Sequence, residues 1–252
     1  MPHAEMRVIG LTGIPDVSVG DDLVALIVQA ARAQQTPLQE GDILVVTQKI
    51  VSKAEGQLVR LADVEPSDFA RQIAQEGDRD PRHMEVVLRE SRRIVKMDRG
   101  ILITETHHGF ICANAGVDVS NVAGEGFLSL LPKDPDESAR RIRRALEERL
   151  SLRLAVIISD TFNRPWRMGT MNVAIGAAGV KPLQDYRGVV DPYGYELRTS
   201  ITSLGDEVAS AAELVMGKVD RVPVAIVRGV AYDTSPDGAR QLLREPGLDL
   251  FR

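Results

Sequence analysis

The residues best equipped for chemistry lie between Leu152 and Leu183, centred on Ser159-Asp160-Thr161-Phe162-Asn163-Arg164-Pro165-Trp166-Arg167. Positions 160–167 carry a carboxylate, a hydroxyl, an amide and two guanidinium groups. Hard oxygen donors next to cations suit a site that holds an anion and a metal ion together. A single Asp at a strand end would be an ordinary cap; this density of polar types favours a site. A second stretch runs from Cys112 through Asn114-Ala115-Gly116-Val117-Asp118 to Ser120-Asn121. Its small residues leave room for a ligand, and the Asp118 and Asn121 oxygens can bind a hard cation. An Asx-type turn that caps itself explains the same spacing equally well. A third stretch, Ser52-Lys53-Ala54-Glu55-Gly56, offers Lys53 as a mobile positive charge for phosphate.

These groups need elements to aim them. Leu154 to Ile158 is short, bulky and partly β-branched, so it reads as a buried strand delivering Asp160 and Thr161 at its C-terminal end. Gly169, Gly176 and Gly179 follow, where backbones can approach a ligand or each other. Strands are also expected over Met6 to Leu11, Ile43 to Val46 and Val224 to Val227. The second of these ends in Thr47, Gln48 and Lys49, which for Lys49 alone means a strand that has reached solvent. Helices are expected over Leu23 to Gln34, over Pro66 to Leu88 with a break at Asp80-Pro81, over Asp134 to Leu150, and from Gly205 to Met216. Asp98-Arg99-Gly100 sits between two strand-like runs and signals a hairpin. Gln184 to Ser200 reads as turns and a further hairpin. His107 and His108, if in a strand, point to opposite faces and cannot easily share one metal. The arginines from Arg82 to Arg93 and along Arg140 to Arg144 read as solvated or ion-paired faces.

The totals narrow the class. With 252 residues, 44% apolar and 27% charged, the chain can bury a sizeable core as a globular enzyme does. A net charge of −5 and 4% aromatic residues argue against nucleic acid as the main partner. Cys112 is the only cysteine, so no internal disulfide forms and a cytoplasmic setting is expected. Met1 to Glu5 has no apolar signal core, and no apolar run approaches the ~20 residues of a membrane span.

One convergent site would draw cations from Lys53, Arg164, Arg167 and Arg228, carboxylates from Asp118 and Asp160, and neutral oxygens from Thr161 and Asn121. No zinc, P-loop or Rossmann signature occurs. Oxygen ligands with cations nearby point to Mg²⁺ or Mn²⁺ on phosphates, and phosphoryl transfer needs little beyond metal, charge and alignment. A metal-dependent phosphohydrolase and a non-catalytic nucleotide-binding module both remain open on these residues.

The chain also resembles the coenzyme F420-0:L-glutamate ligase family, from end to end. The resemblance rests on Gly13-Ile14-Pro15, Gly41 to Val46, Ser52 to Gly56, Asn114 to Asp118 with Ser120-Asn121, and Ser159-Asp160-Thr161. It continues through Arg167-Met168-Gly169, Ala174-Ile175-Gly176, Gly179-Val180-Lys181, Met216-Gly217 and Pro223 to Gly229. It implies an α+β fold of mixed and antiparallel sheets with flanking helices, two subdomains and an intertwined homodimer. It implies one ligase domain over 1–252, without the C-terminal flavin domain of some bacterial relatives. The implied reaction adds L-glutamate through a γ-linked amide to a deazaflavin coenzyme F420 precursor, using GTP, through an acyl phosphate, and releasing GDP and phosphate. By resemblance, Ile14, Pro15, Asp16 and Val17 contact GTP, as do Gln48, Lys49 and Asn121, while Lys53 touches phosphate. Met216, Gly217 and Lys218 close over the nucleotide. Asp118 and Asp160 hold one divalent ion, Thr161 a second, and K⁺ is a further candidate. Asp118, Asp160 and Lys53 are the implied catalytic residues. The pattern departs at Lys218, where an archaeal-type member places a Glu metal ligand.

Overall fold

Two short strands buried on both faces form the centre of the fold. A computed structural model describes residues 5–119 and 126–249. Strand β1 is Arg7–Leu11, helix α1 Leu23–Ala33, strand β2 Ile43–Thr47 and helix α2 Gln48–Ala54. Strand β3 is Leu58–Arg60, helix α3 Asp68–Gly77, helix α4 Pro81–Arg89, and strands β4, β5, β6 and β7 are Ser91–Asp98, Ile101–Thr106, Ile111–Ala113 and Phe127–Ser129. Helix α5 is Pro135–Leu150, strands β8, β9, β10 and β11 are Ala155–Asn163, Thr170–Ala178, Gln184–Asp185 and Ile201–Thr202, helix α6 is Leu204–Met216 and strand β12 Val224–Arg228.

The main sheet has five strands in the order β1-β12-β2-β8-β9. Only β2 and β8 pair in parallel; every other pair in this sheet is antiparallel. Ile43 and Val45 point to one face, with Ile157, Ala225 and Val227, and pack under α6. Leu44 and Val46 point to the other, with Val156, Ile158 and Ile226, and pack under α1 and α5. Helices on both sides explain why β2 and β8 read as continuous apolar runs. A slip of one residue would exchange the two faces, so the register is fixed. A third cluster, from Ile73, Met84, Val87, Leu102 and Leu128, lies where α3 and α4 meet the β4-β5-β6 sheet.

Helix starts follow from local chemistry. Asp22, Ser67, Asp80, Asp134 and Ser203 each accept a backbone N–H from the first turn, and Pro81 and Pro135 occupy first helical positions. The break at Asp80-Pro81 and the hairpin over Arg99-Gly100 fall where the sequence places them.

Two local expectations are corrected. Gln48 and Lys49 do not trail from a strand into solvent; they open helix α2. Strand β8 does not stop before Asp160 but runs on to Asn163. His107 and His108 lie in a turn, where their Nε2 atoms bond the carbonyls of Arg89 and Pro132, both at 2.8 Å. Gly176 and Gly179 serve packing, not a ligand. A methyl on Gly176 would collide with the Pro135 carbonyl, and one on Gly179 with the Arg143 side chain.

Candidate functional site

Strands β1, β2 and β8 run in the same direction, and their carboxyl ends open into one cleft, the usual place for a ligand in such sheets. Its volume is about 980 Å³, near the top of the roughly 300–1,000 Å³ typical of small-molecule sites. Five segments line it: Ile14–Val17 after β1, Thr47–Ile50 with Lys53, Gly116–Asp118, Ser159–Thr161 with Asn172, and Met216–Pro223 apart from Asp220. Residues far apart in sequence therefore line one cleft.

Asp118 is aimed by backbone. Asn114, Ala115 and Gly116 have φ of 51°, 54° and 69°, three successive left-handed residues after β6. That conformation is costly for residues with a Cβ, and such turns persist only where their surroundings hold them. Here Asp118 N–H donates to the Ser129 carbonyl at 3.0 Å, and Ser129 N–H returns a bond to Asp118 O at 2.8 Å. The Asp118 carboxylate then meets Lys49 Nζ at 2.6 Å. Helix α2 exists to place that lysine and Lys53, which is nearly buried.

Asp160 and Thr161 are neighbours in β8, so their side chains leave opposite faces of the sheet. Asp160 shares the face of Ile158; burial pushes its pKa up to about 6. The Thr161 N–H opposes that rise, the Asp118 charge adds to it, and Lys49 and Lys218 work against it. Two carboxylates lining a shared cleft form a natural place for a cation. On the other face, Thr161 Oγ1 donates to Asn172 Oδ1 at 2.7 Å and accepts from Lys218 Nζ at 2.6 Å.

Ammonium groups thus lie on Asp118 and on Thr161, which marks both as cation positions in this fold. Among the described residues, no three His, Cys, Asp or Glu side chains gather as a metal cluster. Two carboxylates suit an ion shared with phosphate oxygens better than an all-protein cage. Ser159 Oγ, which belongs to the cleft wall, is buried and has no hydrogen-bond partner among the described residues. A buried hydroxyl of that kind fits a polar ligand. The wall carries the cations Lys49, Lys53, Lys218 and Arg221 and the carboxylates of Asp16, Asp118 and Asp160.

The expected cations are partly redistributed. Arg164 bonds the Met168 and Gly169 carbonyls within the β8–β9 turn, and neither it nor Arg167 lines the cleft. Arg228 lies at the opposite end of the sheet, paired with the buried Asp42 at 2.7 Å. Its strand is antiparallel to β2, so its C-terminal end points away from the site. Asn121 lies outside the described residues. Asn172 and Glu213 were not singled out from sequence. Strand pairing opposite Thr161 could have found Asn172; Glu213 had no local signal.

The fold and cleft define an α+β protein of several sheets, with a large cleft whose wall carries carboxylates and lysines. The sequence model of the F420-0:Gamma-glutamyl ligase family matches residues 12–229. The chain is 45% identical over 250 residues to the Coenzyme F420:L-glutamate ligase of Methanothermobacter thermautotrophicus, covering 98% of this chain and 99% of that one. It is 48% identical over 241 residues to the protein of the same name from Methanopyrus kandleri, covering 94% and 93%. To that of Methanocaldococcus jannaschii it is 42% identical over 219 residues, covering 86% and 87%. The chain belongs to the F420-0:Gamma-glutamyl ligase family.

Proposed function

We propose that the protein is a GTP-dependent ligase that joins L-glutamate through a γ-linked amide to a deazaflavin coenzyme F420 precursor. The observation that carries this reading is the meeting of Asp118 and Asp160, from distant segments, in one cleft walled by lysines. Full-length identity to relatives named as coenzyme F420:L-glutamate ligases supports the substrates.

In this reading the Ile14–Val17 loop and the Met216–Lys218 segment embrace the nucleotide, and Lys53 contacts its phosphates. Asp118 and Asp160 hold Mg²⁺ or Mn²⁺, with Thr161 at hand on the opposite face. When bound, such an ion neutralises the γ-phosphate so that an anionic nucleophile can approach. The precursor carboxylate oxygen then attacks the γ-phosphorus, the bond to the β-phosphate bridging oxygen breaks, and GDP leaves. The neutral glutamate amine attacks the acyl carbon of the resulting acyl phosphate, the acyl C–O bond to phosphate breaks, and the nitrogen's proton leaves with the phosphate as hydrogen phosphate. The lysines and the cleft walls supply charge and alignment, which is most of what phosphoryl transfer asks of a protein.

The active form is proposed to be a homodimer. Among the described strands β9 is an edge of the main sheet, Trp166 and Met168 in the turn before it are exposed, and so are Tyr193 and Tyr195; unpaired edges and exposed apolar patches favour association. Substituting Asp160→Ala tests the reaction: ligation measured by chromatography is expected to vanish while the far-ultraviolet circular dichroism stays unchanged. Near-normal ligation would refute the assignment.

A further inference from the structure

The two faces of β8 are not equivalent as cation sites. On the Asp118 side two carboxylates, Asp118 and Asp160, line the same cleft, and Lys49 pairs with Asp118. On the Thr161 side the oxygen donors are bound to each other. Thr161 spends its proton on Asn172 Oδ1. Glu213 Oε2 accepts the Asn172 N–H at 2.8 Å, and Glu213 Oε1 lies 2.8 Å from Lys218 Nζ. That ammonium also reaches Thr161 Oγ1 at 2.6 Å. A second divalent ion needs near-octahedral oxygen ligands and usually a carboxylate of its own. The carboxylate on this side is tied to a backbone amide and a lysine instead.

We propose that the cleft takes one divalent ion, at Asp118 and Asp160, and that the Lys218 ammonium supplies the second positive charge. The inference rests on the nucleoside-triphosphate reading of the cleft. Lys218 is suited to this by position. It follows Gly217, whose φ of +60° turns the chain out of α6, and its side chain is 55% exposed. A flexible four-carbon stem can carry the charge from Glu213 to an incoming phosphate oxygen. Lys49 differs: it sits in the first turn of a helix and is 19% exposed. Among the described residues the wall's four cations outnumber its three carboxylates by one, too few to match a triphosphate. The lysines therefore supplement one divalent ion and do not abolish the need for it.

Bound Mn²⁺ can be counted by electron paramagnetic resonance in the presence of a GTP analogue with an imido β–γ bridge. The wild type is expected to bind one Mn²⁺ per chain. Lys218→Glu, which places a carboxylate beside Thr161, is expected to bind two. Lys218→Met is expected to keep one ion and to lose about tenfold or more in analogue affinity, the scale of a lost charge-assisted bond. Two ions on the wild type, or unchanged analogue affinity in Lys218→Met, would overturn the role given to Lys218 and leave the nucleotide reading intact. No Mn²⁺ on any of the three proteins would remove the nucleotide reading itself.

Discussion

Asp160 shows how a residue that lines the cleft can be costly to the fold. Its pKa is raised from 3.8 to about 6, chiefly by burial. A raised carboxyl value means the folded state prefers the proton. The ionised form therefore costs stability above pH 6, and that cost fades as the pH falls toward 3.8. Asp160→Asn is expected to stabilise the ion-free protein at pH 7.5 by on the order of 1–3 kcal/mol, read by urea denaturation. The gain should shrink between pH 6 and pH 4. An Asn that destabilises the protein at pH 7.5 would contradict this. The same proton competes with a bound ion, so Mn²⁺ affinity is expected to fall by up to ~10-fold per unit as the pH drops below 6. Cys112 offers a second check. Burial, with some help from the Asp160 charge, pushes its thiol up to about 12. It should resist disulfide-exchange reagents at pH 8 until the chain is unfolded; rapid labelling of the native protein would show that this environment is wrong.

Among the elements, those with a clear period or cap were legible and those without were not. The break at Asp80-Pro81 carries a cap and a proline, and it appears where expected. Helix α2 is hard to read because its polar side, Gln48, Lys49, Ser52 and Lys53, spans only seven residues, too few for a helical period to stand out, and Ile50-Val51 resemble a strand continuing. That one error sent Lys49 to solvent, when it faces Asp118. Arg228 was misplaced for another reason: a strand's sequence does not reveal its direction in the sheet. Its partner Asp42 is fully buried, so Arg228→Met is expected to cost roughly 3–5 kcal/mol of stability. Its affinity for the GTP analogue should not change; a large loss there would return Arg228 to the site. Gly176 belongs to this scale too. Its missing Cβ lets the start of α5 lie on β9. Gly176→Ala is expected to lower the melting temperature through overpacking of roughly 1–3 kcal/mol.

For the whole molecule, the sheet order could not be read from the chain. Strand β12 closes the sheet between β1 and β2, across almost the full length of the sequence. That placement brings the Met216–Pro223 segment, and Lys218 with it, over the carboxyl ends of β2 and β8. The meeting of Asp118 with Asp160 was legible only as a requirement of the chemistry; the fold supplies the means. The proposed homodimer is expected to dissociate when Trp166, which is 80% exposed, is replaced by Asp, as followed by sedimentation equilibrium. The central claim is that this cleft couples GTP cleavage to glutamate addition. Its most direct test incubates the protein with the deazaflavin precursor, GTP, Mn²⁺ and L-glutamate, and compares GDP formed with glutamyl groups gained by mass spectrometry. The two are expected to rise in equal amounts, and both to disappear in Asp118→Asn. GDP formation that runs undiminished without glutamate or precursor, with no glutamyl product, would contradict the account.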